Sequence, residues 1–100
     1  MNSTMRKNLK KYKKIFDFPD LTIKSSKRNN KRFQASYTDY DGNRQTVYFG
    51  QPGAFTFADG APEAKRRSYR ARAKEQRIKN GHRAISVPGS PASLAYYILW

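Results

Sequence analysis

A strongly basic segment, residues 62–83, constrains this chain more than any other feature of its sequence. It holds nine Lys or Arg against two Glu, a local charge of +7. Proline suits the first turn of a helix and glycine suits the position just beyond its end, so Pro62 and Gly81 predict one continuous helix between them. Because so much charge of one sign repels itself, we expect an anionic partner outside the helix.

The predicted helix has little apolar surface to bury. At about 100° per residue, one narrow sector collects small side chains, and Lys and Arg fill most of the remaining circle. Burial of that sector would release only about 25 cal/mol for each Å² covered. The helix either binds anions through its guanidinium groups or presents a solvated charged face, and we favour the first because its charge is nearly all of one sign. The sector consists of Ala64, Ser68, Ala71, Glu75 and Ile78.

Composition extends this argument to the whole chain. Its 100 residues include 21 Lys and Arg against seven Asp and Glu, which gives a formal charge of +14. That balance suits contact with nucleic acid or with an acidic protein surface. The candidate residues for binding nucleic acid or an acidic partner are Lys65, Arg66, Arg67, Arg70, Arg72, Lys74, Arg77, Lys79, Arg83, Lys10, Lys11, Lys13 and Lys14.

Residues 1–32 form a second basic block, with eleven basic and two acidic side chains. We predict a basic N-terminal arm here, followed by one small domain over residues 33–100. Apolar residues such as Tyr12 and Phe16 are spaced to permit a short helix over residues 6–16. The arm is either a disordered tail or a segment that its scattered aromatic residues order on a partner.

The clearest strand signals are residues 32–38 and 44–49, which flank a turn rich in Asp, Gly and Asn. A three-residue loop with Gly42 at the left-handed position of a bulge would pair Ala35 with Val47 and gather the apolar side chains on one face. A two-residue loop would scatter those side chains over both faces. We therefore prefer the three-residue loop.

Two shorter segments complete the middle of the chain. Residues 21–24 alternate in polarity and favour a third short strand. Phe55 and Phe57 lie in the loop before the basic helix, and we expect both rings to return to the hairpin face.

Residues 84–100 contain no charged side chain. Ser90 followed by Pro91 resembles a helix N-cap followed by proline at the first helical position, which predicts a short apolar helix. This helix either closes the core over the hairpin or docks on a partner protein, since an exposed apolar end would be adhesive. The candidate docking residues are Leu94, Tyr97, Ile98 and Trp100.

These elements predict an α+β fold class. The protein would be a small single domain with a β-hairpin, a third short strand, one basic helix and a short apolar C-terminal helix, preceded by the basic N-terminal arm. No apolar run approaches the roughly 20 residues that span a bilayer, so we expect no membrane span and a soluble, intracellular protein.

The residues that could carry catalysis are few. There is no cysteine, and the single histidine, His82, lies beside Arg83 in a basic stretch where a phosphate contact is the better interpretation. Asp59 with Glu63 could hold a metal, but a helix cap is the more natural role for Asp59. We therefore expect no enzyme, no metal, no cofactor and no small-molecule substrate.

Four short motifs in order resemble a viral family. They are the hairpin end Thr46-Val47-Tyr48-Phe49-Gly50, the aromatic loop with Asp59, the helix core Arg66-Arg67-Ser68-Tyr69-Arg70-Ala71-Arg72, and the end Ile98-Leu99-Trp100. Together they are similar to a family of small basic proteins of large nucleocytoplasmic DNA viruses, of the phycodnavirus and mimivirus type. The resemblance covers residues 45–100, implies a viral protein and implies no catalytic site.

The expected function is that of a non-enzymatic structural virion protein of a large DNA virus. It would be a minor capsid or capsid-interior component that binds acidic surfaces of subunits or genome, with capsid or other assembly proteins as partners. The alternative is a nonspecific DNA- or RNA-binding protein of the nucleoid- or ribosome-associated type. Basic residues on every side of the helix favour sequence-independent contact with phosphates over base reading.

Overall fold

The chain forms three helices and a three-stranded antiparallel sheet, described over residues 1–100 by a computed structural model. The predicted α+β class is confirmed, including the hairpin, the third strand and the C-terminal helix. Single turns of 3-10 helix lie at Phe57–Asp59 and Ala84–Ser86. The main elements are α1 (Ser3–Phe16), β1 (Thr22–Ser25), β2 (Phe33–Thr38), β3 (Arg44–Phe49), α2 (Glu63–Glu75) and α3 (Pro91–Leu94), which continues as a π-helical segment (Ala95–Leu99).

The sheet has the strand order β1-β2-β3, and its hairpin has the predicted register. Ala35 pairs with Val47, and Asp39 N–H donates to the Asn43 carbonyl oxygen at 2.8 Å, which leaves a three-residue loop. Gly42 in that loop has φ +85°, a value that glycine adopts without strain. The apolar side chains of the hairpin therefore share one face, which the helices cover.

Helix α1 belongs to the same core as the sheet. Its buried side chains Met5, Tyr12 and Phe16 lie in one cluster with residues of β2, β3 and α3. The lysines of α1 stay outside because its apolar residues recur along a single helical face. The helix predicted over residues 6–16 is thus present and longer, but residues 1–32 are not an arm outside the domain.

Helix α2 is shorter than the helix predicted between Pro62 and Gly81. It ends at Glu75, and the C-cap residue Gln76 has an extended ψ of 130°. The chain then doubles back, with Ile78 N–H donating to the His82 carbonyl oxygen at 3.0 Å. Gly81 has φ +86° within this turn. The prediction was wrong here because a glycine that can end a helix can equally serve a tight turn.

The buried face of α2 also differs from the predicted one. Ala73 is buried, and Arg66, Tyr69 and Arg70 are half-buried. An aromatic ring and the aliphatic stems of two arginines cover more apolar surface than a stripe of small side chains can. The predicted sector faces solvent instead: Ala64, Ser68, Ala71, Glu75 and Ile78 are all exposed.

The C-terminal helix begins as predicted. The Ser90 hydroxyl accepts a hydrogen bond from Ser93 N–H at 3.1 Å, and Pro91 occupies the first helical turn. Leu94 and Ile98 are fully buried beneath it, so the helix closes the core over the sheet.

Two of the four predicted docking residues are fully buried, so the prediction was wrong for them. Leu94 and Ile98 contact the chain's own core and have no exposed surface, so they are unavailable to a partner. Tyr97 and Trp100 are half-buried. An apolar stripe on a short helix predicts burial without saying whether the chain itself or a partner provides it.

Candidate anion-binding surface

Most of the positive charge has no partner within the molecule. Only Arg32, Arg44 and Arg66 lie within 4.0 Å of a carboxylate, which leaves eighteen of the 21 basic side chains without an ion pair. A folded chain with this excess attracts polyanions and is destabilised by its own repulsion until it meets one.

The Arg32–Asp59 pair is structural. The two guanidinium nitrogens each donate to one carboxylate oxygen at 2.7 Å, and Asp59 also accepts from the N–H and hydroxyl of Thr56 at 3.0 and 2.8 Å. The hydrogen bonds from Arg32 hold the pKa of Asp59 well below its usual range, aided by those from Thr56. Asp59 does not cap α2, whose N-cap residue is Pro62; it instead closes a capping box over the preceding turn Phe57–Asp59.

Arg66 and Arg70 hold the C-terminal segment in place. Their Nε atoms donate to the main-chain oxygen of Trp100 at 2.9 and 3.2 Å. The guanidinium of Arg66 lies 4.5 Å from the ring centroid of Phe57, and that of Arg70 lies 4.6 Å from the ring of Tyr96. Their spacing of four residues puts both on one face of α2. Each of these two candidates therefore uses its Nε–H group and its guanidinium face for contacts within the fold.

The other candidates lie at the surface. Lys13 is half-buried and the rest are exposed, so their ammonium and guanidinium groups are accessible to phosphates. The exposed members are Lys65, Arg67, Arg72, Lys74, Arg77, Lys79, Arg83, Lys10, Lys11 and Lys14.

The two basic helices adjoin each other across a small cavity. Its volume is about 190 Å³, and Lys11 of α1 lines it together with Arg66 and Arg70 of α2. Trp100 also lines this cavity. The fold thus brings the N-terminal basic block next to the basic helix, although 51 or more residues separate Lys11 from α2 in sequence.

A larger groove lies between α2 and the loop that follows β3. Its volume is about 890 Å³, and Lys31, Lys65 and Arg72 line it with no Asp or Glu. Sequence reasoning missed Lys31 because that residue stands in a polar linker with no periodic signal. Phe55 was expected on the hairpin face, but its side chain lines this groove and is 52 % exposed.

The wall of the groove is built by packing. The rings of Tyr69 and Trp100 are stacked with centroids 4.5 Å apart and an interplanar angle of 13°. Burial raises the pKa of the Tyr69 hydroxyl. Tyr69 therefore packs against the domain. Phe57, also expected on the hairpin face, is half-buried beneath Arg66 instead.

Two acidic side chains, Asp20 and Asp39, lie beside the turn that joins β2 to β3. Asp20 accepts from the Thr38 hydroxyl and from Arg44 at 2.7 Å each, while Asp39 accepts from Gln45 at 2.9 Å and from N–H groups of the turn. Hydrogen bonds from Thr38 lower the pKa of Asp20, and those from Asn43 and Gln45 lower that of Asp39. These carboxylates are held within the turn and do not neutralise the helices.

Two further properties bear on the class of site. No group of three or more His, Asp or Glu side chains is placed to hold a metal ion. None of the helices has the length and apolarity needed to cross a bilayer. His82 is exposed in the turn after α2.

The fold and its unpaired cations define a small α+β domain with a polycationic surface. Residues 21–73 match a family described as a family of unknown function (DUF5754), and the chain belongs to that family. It is 52 % identical, over 100 residues and the full length of both chains, to an uncharacterized protein of Acanthamoeba polyphaga mimivirus. This relative supports the expectation of a viral protein. No solved structure matches the chain.

Proposed function

We propose that this protein is a non-enzymatic, sequence-independent nucleic-acid-binding protein. The observation that carries the proposal is the set of eighteen basic side chains without an ion pair, most of them exposed. Phosphates arranged along a nucleic acid match such a set, because each bound cation releases counterions from the polyanion.

The distribution of the cations supports binding without base reading. Exposed Arg and Lys side chains occupy several sides of α2, and α1 adds lysines beside them. A helix that reads bases presents a few Arg, Asn or Gln side chains on one groove-facing side. Here Arg66 and Arg70 face inward. The outward-facing cations are suited to contacts with phosphates, which position a protein on nucleic acid without reading its sequence.

The virion role remains part of the proposal. A capsid-interior protein that faces the genome would use the same cations, and the mimivirus relative supports a viral origin. A minor capsid role between large subunits draws less support, because residues 3–16 fold into the domain instead of forming an extended arm and two docking candidates are buried.

A salt titration tests the proposal. The full chain would be titrated into a DNA duplex, a DNA single strand and an RNA duplex at several salt concentrations, with its fold checked by circular dichroism. We expect submicromolar binding at low salt to all three, with log K falling linearly in log salt by about 0.9 per phosphate contacted on duplex DNA.

Two outcomes of this titration would contradict the proposal. Weak binding at physiological salt, with a shallow salt slope on every probe, would contradict nucleic-acid binding and assign the unpaired cations to an acidic protein surface. Strong preference for one duplex sequence over a scrambled one would contradict the sequence-independent mode.

A further inference from the structure

We propose that the groove between α2 and the loop after β3 binds single-stranded nucleic acid, with an unpaired base stacked on Phe55. Lys31, Lys65 and Arg72 would bind the adjoining phosphates. This inference rests on the proposed function and specifies which form of nucleic acid the molecule takes and where.

The size and charge of the groove fit such a ligand. Its volume of about 890 Å³ lies in the range of sites that hold ligands as large as a nucleotide. Three cations and no Asp or Glu line it, so all the charged side chains of its lining are positive. A concave surface of one charge concentrates the opposite charge more strongly than a convex one.

Phe55 supplies a surface for a base. Its ring is 52 % exposed, its Cζ atom lies near Gly60, and the Lys65 ammonium lies 6.0 Å from its centroid. A single exposed apolar residue is ordinary on a protein surface. An aromatic ring beside three cations in one groove is the combination with which proteins bind single strands, because every base has a face that can stack.

The shape of the groove favours a single strand over a duplex. Bases in a duplex are stacked on their neighbours, so a ring within a concavity cannot reach their faces unless the duplex opens. A single strand can turn its bases toward the protein while its backbone follows the cations.

The wall of the groove on the side of α2 is ordered before any ligand binds. Tyr69 and Trp100 are already stacked on each other, and Leu99, which also lines the groove, is buried. Gln51 and Gln76 add amide groups that can donate to or accept from base edges. The stacked pair therefore needs little further ordering when a ligand enters, which favours affinity.

Three variants of the full chain test this inference. F55L removes the aromatic face and keeps an apolar side chain at an exposed position. The groove variant K31Q/K65Q/R72Q removes three charges, and K7Q/K10Q/K14Q removes three exposed charges from α1 as a matched control. The probes are an oligo(dT) of about ten nucleotides, an abasic strand of equal length and a DNA duplex.

We expect F55L to weaken oligo(dT) binding about tenfold and to leave binding of the abasic strand and the duplex unchanged. The groove variant should lose more affinity for oligo(dT) than the α1 variant, with a salt slope smaller by about two. On the duplex, the two triple variants should lose similar affinity.

The outcomes separate this inference from the proposed function. If F55L binds oligo(dT) like the wild type, or if both triple variants lose equal affinity for it, the groove is not the site while polyanion binding stands. If the wild type binds none of the three probes, the proposed function fails and the groove assignment fails with it.

Discussion

The hydroxyl groups of Tyr12 and Ser93 lie 2.7 Å apart and join helix α1 to helix α3 across 81 residues of sequence. The Ser93 hydroxyl donates to the Ser90 carbonyl oxygen at 2.9 Å, so Tyr12 donates to Ser93. Tyr12 in turn accepts from Gly89 N–H at 3.0 Å. This hydroxyl therefore fixes the N-terminal helix to the segment that closes the core, in a site where burial raises its pKa.

The first prediction concerns this hydroxyl. Y12F keeps the buried ring but leaves the Gly89 N–H without an acceptor and Ser93 without its donor. Because unsatisfied polar groups in a buried site are costly, we expect the free energy of unfolding to fall by about 1–3 kcal/mol. Urea denaturation followed by circular dichroism measures this change.

Y48F is the matched control for that substitution. The Tyr48 ring is half-buried beneath the guanidinium of Arg28, and its hydroxyl forms no hydrogen bond within the chain. We expect Y48F to unfold at the wild-type urea concentration. Equal stability losses in Y12F and Y48F would show that the link between α1 and α3 contributes nothing specific.

The second prediction concerns the residue that bonds to Tyr12. Gly89 has φ +73°, and a Cβ atom there would collide with the Tyr37 hydroxyl. We expect G89A to lower the free energy of unfolding by more than about 3 kcal/mol, because neither the backbone nor the ring beside it can yield easily. A thermal melt of purified G89A, or its failure to fold, measures this.

G53A separates the two causes of that loss. Gly53 has a similar φ of +78° but open space around its Cα. It should lose only about 1 kcal/mol, the cost of the left-handed backbone alone. If both variants lost the same amount, contact with Tyr37 would not explain the need for Gly89.

The sheet could be predicted from the sequence because side chains on a strand alternate. The parity of Phe33, Ala35, Val47 and Phe49 leaves one register that puts them on one face, and the structure has it. The N-cap at Ser90 could also be predicted, since it depends only on residues within one helical turn.

The site was harder to predict because it depends on contacts between distant residues. A helical period shows which residues of α2 share a face but not which face a neighbour covers. In the structure, the covered face of α2 is the one with Arg66 and Arg70, because it contacts the main-chain oxygen of Trp100 and the ring of Tyr96. Lys31 enters the groove through the loop after β1, and nothing near it in sequence indicates this.

The third prediction is a dependence of stability on pH. The folded-state pKa of Asp59 is depressed mainly by Arg32, below an unfolded value near 3.8. Its contribution is therefore fully present above about pH 4 to 5 and is lost as the pH falls further. We expect D59N to be less stable than the wild type at pH 7, and the difference to shrink toward pH 3 in urea denaturation.

D41N controls for the loss of a surface carboxylate. Asp41 is exposed in the hairpin loop and its carboxylate has no hydrogen-bond partner in the chain. D41N should retain the wild-type stability at pH 7 and the wild-type decline in acid. A D59N protein whose deficit stayed constant from pH 7 to pH 3 would contradict the coupling between Asp59 ionisation and folding.

The last prediction separates structural arginines from binding cations on one helix. R66Q/R70Q and R67Q/K74Q each remove two charges from α2. The first pair donates to Trp100 and stacks on aromatic rings, so its loss should lower the free energy of unfolding by about 1–3 kcal/mol. The second pair is exposed and without carboxylate partners, so R67Q/K74Q should keep wild-type stability or gain slightly from reduced repulsion.

Binding should follow a different order from stability. With both proteins folded, R67Q/K74Q should bind duplex DNA more weakly than the wild type at equal salt, with a log–log salt slope smaller by up to about two. Fluorescence anisotropy at three salt concentrations measures both quantities. A wild-type slope in R67Q/K74Q would place the bound phosphates elsewhere on the molecule, and α1 with its row of exposed lysines would be the next helix to test.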